Sequence, residues 1–391
     1  MPDFKTTRVS SLYVHVPFCA QKCAYCAFYS EPSTGGLINR YVAGLVRELE
    51  IVADDLRPAT IFFGGGTPSL LNLRQWEQIL RTMERLNLLG AEEFTVECNP
   101  ATVSADKAKL LRDFGVNRIS MGVQSLDEAL LERLGRIHSR EMVFKSFDVL
   151  RRAGFDNLNL DLMFAIPGQT AELWRATLTE ALALGSEHLS SYEVIYEDDT
   201  PLFAQLKAGE FDMDEDLSCA MYEELVKRAA QAGFRQYEVA NFARDNSELR
   251  TPNSELPFFA CRHNVNYWRG GSFYGLGPSA TGYVRGVRTK NWSNTQLYCE
   301  QLEKGERAIE SREELPPLKR AGETAAFGLR MVAGWPFEKF RQTTGFELLQ
   351  EWSADMNQLA DRGWATISPD NFHLTRQGLR FADAAAELFL R

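Results

Sequence analysis

The chain has 391 residues, of which 45% are hydrophobic and 25% charged, and its formal net charge is −10. This length predicts one large domain with a smaller one beside it, and the composition is that of a globular protein. The acidic balance lacks the basic surface of a nucleic-acid binder, and no stretch approaches the roughly 20 apolar residues of a membrane span. We therefore expect a cytoplasmic protein with neither a transmembrane segment nor a nucleic-acid partner.

Three cysteines follow the first predicted strand, Leu12 to Val16, on a single short loop. Cys19, Cys23 and Cys26 have the spacing C-x3-C-x2-C. Because a cubic iron–sulfur cluster normally takes four cysteines, three thiolates would leave one iron without a protein ligand and open to chemistry. A zinc site that adds His15 to the three cysteines, or three thiols without any metal, would also fit this spacing.

Strands and helices then alternate along the chain. The predicted helices are Ile38 to Ala53, Leu73 to Leu89, Ala105 to Phe114, Arg140 to Ala153 and Ala171 to Leu184. The predicted strands after the first are Thr60 to Phe63, Phe94 to Cys98, Arg118 to Val123, Asn157 to Phe164 and His188 to Ile195. Six strands separated by helices predict an α/β fold, a parallel sheet curved into a partial (β/α)6 barrel with the helices outside.

Chemically useful groups recur where these strands end. The cysteine loop, the glycine turn Gly64 to Thr67, Glu97, Gln124 and Asp161 all lie at or near such ends. The carboxyl ends of parallel strands meet at one edge of a sheet, so the convergence predicts a single cleft. A buried Asp161 inside an apolar strand would be costly without a partner, which also favours a site there.

The pattern changes beyond residue 210. A helix at Leu217 to Ala232 and a strand at Gln236 to Phe242 precede a polar loop, Arg244 to Pro257, and a stretch rich in aromatics and glycine, Phe258 to Ala280. We expect residues 1–210 to form the barrel and residues 211–310 to form a connecting region.

Residues 311–391 are predicted to form a smaller α+β domain. The predicted elements are helices at Leu318 to Val332, Phe337 to Thr343 and Phe346 to Asp361, a hairpin at Trp364 to Thr375 and a helix at Gln377 to Leu390. This order resembles a winged helix. The segment has 10 Lys and Arg against 11 Asp and Glu, which favours a lid or packing role over DNA binding.

The cysteine loop, with Tyr25 before its last cysteine, resembles the cluster loop of the radical S-adenosylmethionine (SAM) superfamily. The flanking sequences HVPFC and CAYCAF are similar to the corresponding sequences in one branch of this superfamily. That branch holds oxygen-independent coproporphyrinogen III oxidase and the HemW haem chaperones. The resemblance implies a 4Fe-4S cluster on Cys19, Cys23 and Cys26, with SAM chelating the unligated iron.

The same resemblance implies a set of SAM-binding residues: Tyr13, Tyr25, Gly65, Gly66, Thr67, Glu97, Gln124, Arg136 and Asp161. Within this set the GGGTP word would contact the amino end of SAM, Glu97 the ribose and Tyr13 the methionyl part. From the residues alone, the glycine turn also fits a tight connection, Glu97 a solvent-facing glutamate and Arg136 a surface position.

A second motif, H-N-x-x-Y-W, comprises His263, Asn264, Tyr267 and Trp268. Histidine is a common axial ligand of haem iron, and aromatic rings offer flat faces to a porphyrin. A buried histidine with a structural role is the alternative. The motif is similar to the word associated with the HemW branch, which implies that these four residues are candidates for haem binding.

Two classes of function fit the resemblance. One is a haem chaperone that binds haem and passes it to an acceptor protein, through which it would meet the membrane only peripherally. The alternative is an oxidase that decarboxylates coproporphyrinogen III by radical chemistry. The oxidase carries a fourth cysteine two positions after the third and a longer N-terminal extension, whereas this chain has Phe28 and 18 residues before Cys19. Both departures favour the chaperone. A third class, RNA modification, would need a basic appended domain, which the sequence does not show.

Overall fold

A nine-stranded sheet forms the centre of the computed structural model, which describes residues 8–32, 34–246 and 255–390. In chain order, β1 to β9 are Val9–Val16, Leu56–Gly65, Glu93–Cys98, Arg118–Gln124, Leu158–Phe164, His188–Glu193, Phe234–Gln236, Asn241–Arg244 and Tyr274–Leu276. Their order in the sheet is β9-β1-β2-β3-β4-β5-β6-β8-β7. Strands β1 to β6 are parallel and adjacent in chain order, which confirms the predicted α/β architecture.

Helices cover the outside of this sheet. Helices α1 to α8 are Gly35–Val52, Leu73–Arg85, Ala105–Asp113, Glu128–Arg133, Arg140–Arg152, Ala171–Ala183, Pro201–Lys207 and Glu215–Gln231. Four of the crossover helices begin at a short polar residue whose side chain accepts a hydrogen bond from a backbone amide of the first turn: Asn72, Ser104, Ser139 and Thr170. These caps explain why the helices start where they do.

Side-chain alternation gives the sheet two different faces. Leu12, Val14 and Val16 of β1 are fully buried in the apolar core shared with the helices. The residues between them face inward, and the inward positions of the next strands include polar side chains such as Glu97 and Asp161. The barrel therefore has an apolar wall and a partly polar interior.

The two edges of the sheet differ from the sequence-based prediction. The single strand expected at Gln236 to Phe242 is two strands, β7 and β8, joined by a turn in which Glu238 accepts a hydrogen bond from the amide of Ala240 (2.8 Å). At the opposite edge, β9 pairs in parallel with β1. In the predicted loop Arg244 to Pro257, residues 247–254 lie outside the described part of the chain.

Beyond residue 255 the chain adds two small sheets, and around the cysteine loop the short strands Phe18–Cys19 and Glu31–Pro32 pair as a third. Helices α9 and α10 are Arg262–Trp268 and Thr295–Glu303, and the strands Thr281–Val284, Val287–Asn291 and Ile309–Glu314 form an antiparallel sheet, β10 to β12. Residues as far along as Ala308 belong to the same apolar core as the barrel.

The C-terminal segment has its own core, built from residues between Ala321 and Phe389. Helices α11 to α16 are Pro317–Gly328, Phe337–Thr344, Leu348–Glu351, Ser353–Asp361, Arg376–Leu379 and Ala382–Glu387, and β13 to β15 are Trp335–Pro336, Ala365–Ile367 and Asn371–Leu374. The expected helices at Phe346 to Asp361 and Gln377 to Leu390 are each split in two. No helix in the described ranges is long and apolar enough to cross a membrane.

Candidate functional site

A cavity of about 830 Å³ opens at the carboxyl ends of the parallel strands. Its lining includes every residue predicted for the cluster and for SAM: Tyr13, Cys19, Cys23, Tyr25, Cys26, Gly65, Gly66, Thr67, Glu97, Gln124, Arg136 and Asp161. This volume lies in the upper part of the usual range for small-molecule sites, about 300–1,000 Å³. The predicted convergence on one cleft is thus present in the structure.

The three cysteines are reduced, half-buried and turned toward this common space. The Sγ atom of Cys19 lies 3.6 Å from the Thr67 hydroxyl, and Arg136 donates to the Sγ atom of Cys23 at 3.4 Å. Burial raises the pKa of Cys26, and the nearby sulfurs of Cys23 and Cys19 raise it further. Three thiols that line one cavity and lie close enough to affect the pKa of Cys26 fit an iron–sulfur cluster in which each sulfur binds a different iron atom.

Among the described residues, no three His, Cys, Asp or Glu side chains are gathered closely enough to hold a single metal ion. His15 is engaged on both ring nitrogens: Nε2 donates to the carbonyl of Tyr29 (2.9 Å), and Nδ1 accepts from the hydroxyl of Tyr13 (3.0 Å). In this arrangement His15 fastens the far end of the cysteine loop to β1.

The glycine turn lies directly against the start of the cysteine loop. The amide of Gly66 donates to the carbonyl of Val16, and the amide of Thr67 donates to the carbonyl of Phe18, both at 2.8 Å. A Cβ atom on Gly66 would lie 2.7 Å from the Phe18 carbonyl oxygen, and Gly65 has a φ of +109°. Both glycines are therefore needed for the close approach of β2 to this loop.

Two carboxyl groups lie inside the barrel. Asp161 accepts hydrogen bonds from Asn159 Nδ2 (2.7 Å) and the Ser120 hydroxyl (3.1 Å), so this charged residue in an apolar strand is partnered. Burial raises the pKa of Glu97 to about 8, with a further contribution from Asp161, while a hydrogen bond from the amide of Gly65 opposes the shift. Burial likewise raises the pKa of Asp161.

Arg136 joins the barrel to the cysteine loop. Besides its contact with Cys23, its Nη2 donates to the carbonyl of Gly122 at 2.7 Å. The positive charge therefore lies next to the thiols, which is the sign that stabilises thiolates. Gln124, two residues beyond Gly122, has a left-handed φ of 66° where β4 ends.

The HNxxYW motif forms α9, and only part of it faces the cavity. Asn264 and Tyr267 line the wall, whereas His263 lies behind it with 1% of its surface exposed. The Nδ1 atom of His263 bonds the Thr60 hydroxyl (2.9 Å), and its Nε2 bonds the Tyr267 hydroxyl (2.7 Å). Burial lowers the pKa of His263 to about 3, so the ring is neutral. An iron-ligand role would require one of these bonds to break.

Trp268 points away from the cavity toward the C-terminal segment. Its indole stacks under the guanidinium of Arg330 at 4.9 Å and packs near Phe327. The four candidates for haem binding are thus divided between the cavity wall, the space behind it and the junction with the C-terminal core.

Two comparisons with known proteins bear on this site. The chain matches the radical SAM superfamily over residues 13–181 and the HemN C-terminal domain over residues 315–381. It is 34% identical to the heme chaperone HemW of Lactococcus lactis subsp. lactis, covering 97% of each chain. It is 32% identical to the heme chaperone HemW of Bacillus subtilis, over 98% of this chain and 99% of the relative. The chain belongs to the HemW family of radical SAM proteins.

The fold of this HemW family member also resembles a solved enzyme structure. Coproporphyrinogen III oxidase (HemN) from Escherichia coli superposes with a TM-score of 0.83 at 22% identity, over 98% of this chain and 90% of the enzyme. At that identity the likeness establishes the fold alone. Membership of the radical SAM superfamily implies a 4Fe-4S cluster and SAM as cofactors, and the cysteine loop fits that chemistry.

Sequence reasoning missed two features of the HemW-type cavity. Arg118, at the start of β4, lines its deep end, although a charged residue in an apolar strand is the same signal that singled out Asp161. The mouth carries exposed apolar side chains, of which Phe28 (69% exposed) and Ile195 (64%) are the most prominent. No periodic pattern marks such a rim, because its residues come from different loops.

Proposed function

We propose that this protein is a haem chaperone: it binds haem at the mouth of the barrel and transfers it to an acceptor protein. A 4Fe-4S cluster held by Cys19, Cys23 and Cys26 and an exchangeable SAM accompany this function. The observation that carries the proposal is the position of the cysteine loop, which opens into the same cavity as an exposed apolar rim and part of the HNxxYW motif.

In this proposal the residues around the thiols prepare the cofactor site. Arg136 offsets the negative charge that three thiolates bring to one loop, and the Thr67 hydroxyl donates to Cys19. The cluster, when bound, supplies an electron and a vacant iron for SAM. Glu97 keeps its proton at neutral pH and offers both a donor and an acceptor to the sugar hydroxyls.

The rim provides the surface for the porphyrin. Phe28, Ile137, Tyr192 and Ile195 are exposed at the cavity. A porphyrin has two flat apolar faces, so covering these side chains with the macrocycle removes apolar surface from water on both partners. Phe28 occupies the position at which the oxidase carries its fourth cysteine, which favours a binding surface over the oxidase chemistry.

The HNxxYW motif supports this surface from behind. His263 holds the hydroxyl of Tyr267 through Nε2 and stacks on Phe62 with ring centroids 5.3 Å apart. Both Tyr267 and Phe62 face the cavity. We infer that His263 positions these rings and that Asn264 and Tyr267 are the members of the motif that meet the ligand.

The test is a haem titration of protein reconstituted anaerobically with iron and sulfide. We expect wild type to develop a haem absorption band at one equivalent, and His263→Ala to take up haem more weakly while keeping its cluster. Cys23→Ser is the matched control, because it should lose the brown cluster colour and remain folded.

A wild-type protein that gives no haem band would reject the chaperone. Conversion of coproporphyrinogen III in the presence of SAM and a reductant would replace it with the oxidase function. If His263→Ala and Cys23→Ser lost both haem and cluster together, the picture of two separable sites would be wrong.

A further inference from the structure

The turn that follows α4, residues 134–136, lies along the middle of the cysteine loop. The amide of Ala24 donates to the carbonyl of Leu134 at 2.9 Å. A Cβ atom on Gly135, which has a φ of +70°, would lie 3.4 Å from the amide nitrogen of Ala24. The backbone of this turn therefore fixes the place at which the side chain of Arg136 meets the loop.

The guanidinium of Arg136 is held on two sides. Its Nη1 atom donates to the Sγ atom of Cys23 at 3.4 Å, and its Nη2 atom donates to the carbonyl of Gly122 at 2.7 Å. Gly122 belongs to β4, in the middle of the parallel sheet. The guanidinium therefore cannot turn away from the sulfur without losing its hydrogen bond to the sheet.

Arg136 keeps its positive charge in this position. Burial acts to lower the pKa of Arg136, but Tyr25 and Cys23 raise it above its ordinary value. A charged donor beside a sulfur forms a stronger hydrogen bond than a neutral one, because charge on either partner strengthens the bond.

The three cysteines have different hydrogen-bond partners. Cys19 lies 3.6 Å from the neutral hydroxyl of Thr67, and Cys26 accepts from the backbone amide of Phe28. Cys23 has the guanidinium. Of the three sulfurs predicted to bind the cluster, that of Cys23 is the one with a charged hydrogen-bond donor among the described residues.

We propose that Arg136 raises the reduction potential of the 4Fe-4S cluster through its contact with Cys23. When a reductant gives the cluster one electron, the cluster and its three thiolates gain one negative charge. A fixed guanidinium stabilises this more negative form by more than it stabilises the oxidised form. Hydrogen bonds to the sulfurs and the charges around a cluster are among the factors that set its potential.

The experiment is a redox titration of reconstituted protein with dithionite, followed by electron paramagnetic resonance of the reduced cluster. Wild type is compared with Arg136→Met, which removes the charge, and with Arg136→Lys, which keeps it. SAM is left out, so that this role is separated from the SAM contact that the resemblance implies for Arg136.

Arg133→Met is the matched control. It removes the same charge from the last residue of α4, three positions before Arg136, but the guanidinium of Arg133 lies over the ring of Phe211 at 5.2 Å. Iron and sulfide analysis of each variant checks that the cluster is present.

We expect the ratio of reduced to oxidised cluster in Arg136→Met to be about tenfold lower than in wild type at the same ambient potential, the size of effect expected for a hydrogen bond to a charged group. For a one-electron couple this equals a shift of about 59 mV to a more negative potential. Arg136→Lys should lie between the two, and Arg133→Met should titrate as wild type does.

An unchanged potential in Arg136→Met would overturn the proposal. An equal shift in Arg133→Met would overturn it as well, because net charge alone would then explain the effect. If Arg136→Met did not retain iron, Arg136→Gln, which keeps an N–H donor without the charge, would be titrated by the same criterion. Loss of iron from both variants would show that Arg136 serves cluster assembly and not the potential, and would also overturn the proposal.

This inference rests on the cluster of the function proposed above and not on haem. A missing haem band would reject the chaperone and leave the titration result unaffected. Wild type without a 4Fe-4S cluster would overturn the role of Arg136, and the iron and sulfide analysis would reveal it before any haem was added.

Discussion

Glu97 and Asp161 bring two carboxyl groups into the interior of one barrel, and the two groups differ in their hydrogen-bond partners. Asp161 is held by two neutral donors, whereas Glu97 has the amide of Gly65 as its compensating partner. A carboxyl group that is enclosed near a second one retains its proton to a higher pH. Glu97 is therefore one group inside the barrel that we expect to link folding to pH, together with Asp161, whose pKa burial also raises.

We predict that cluster-free wild type loses stability as the pH rises from about 5 to 8.5 and that Glu97→Gln loses less, because the contribution of Glu97 is removed while those of other buried acids such as Glu48 and Glu238 remain. The unfolded glutamate ionises near pH 4.5, while the folded one keeps its proton up to about pH 8. Between these values the unfolded state binds fewer protons, so the free energy of unfolding falls, by at most about 5 kcal/mol.

Urea denaturation at several pH values measures this difference. Glu310→Gln is a suitable control, since Glu310 is exposed on β12. Parallel pH profiles for wild type and Glu97→Gln would show that Glu97 is already ionised in the folded protein at neutral pH.

At the scale of elements, the sequence predicted the barrel well because each signal was local. Ser104, Ser139 and Thr170 mark helix starts, and short apolar runs mark the parallel strands. The sequence did not predict the turn at Glu238. The buried carboxylate of Glu238 accepts a hydrogen bond from the amide of Ala240 and stabilises the turn, and a buried glutamate is not a typical turn residue. Breaks such as that at Trp352, buried in the C-terminal core, depend on packing that periodicity does not show.

The contact between β2 and the cysteine loop leads to a prediction for Gly66→Ala. Its Cβ atom would meet backbone atoms of Phe18 and Val16 within 3 Å, and backbone cannot turn aside as a side chain can. We expect a loss of about 2 kcal/mol or more in stability and a lower iron content after reconstitution, measured by thermal denaturation and iron assay.

Gly36→Ala provides the matched comparison for Gly66→Ala. Gly36 lies in the first turn of α1, and a Cβ atom added there would have no neighbouring atom within 4 Å. Alanine at this position should therefore stabilise the helix by about 0.5–1 kcal/mol. If both substitutions had the same effect, the close approach at Gly66 would not matter.

At the scale of the whole molecule, the positions of some site residues could be predicted from the sequence and those of others could not. Parallel strands place Glu97, Gln124 and Asp161 at one edge, and this follows from topology alone. The position of α9 does not follow from topology. It depends on a hydrogen bond from the amide of His263 to the carboxylate of Glu93, which lies 170 residues earlier in the chain. For that reason the HNxxYW motif was recognised as a motif, but the direction of each side chain was not predictable.

The central claim is that Cys19, Cys23 and Cys26 hold one 4Fe-4S cluster with an iron left open to SAM at the mouth of the barrel. The most direct test is metal and sulfide analysis of anaerobically reconstituted protein, combined with electron paramagnetic resonance of the reduced cluster before and after SAM is added. We expect about four iron and four sulfide per chain and a spectrum that changes with SAM. One zinc per chain, or a cluster spectrum that SAM leaves unchanged, would contradict it.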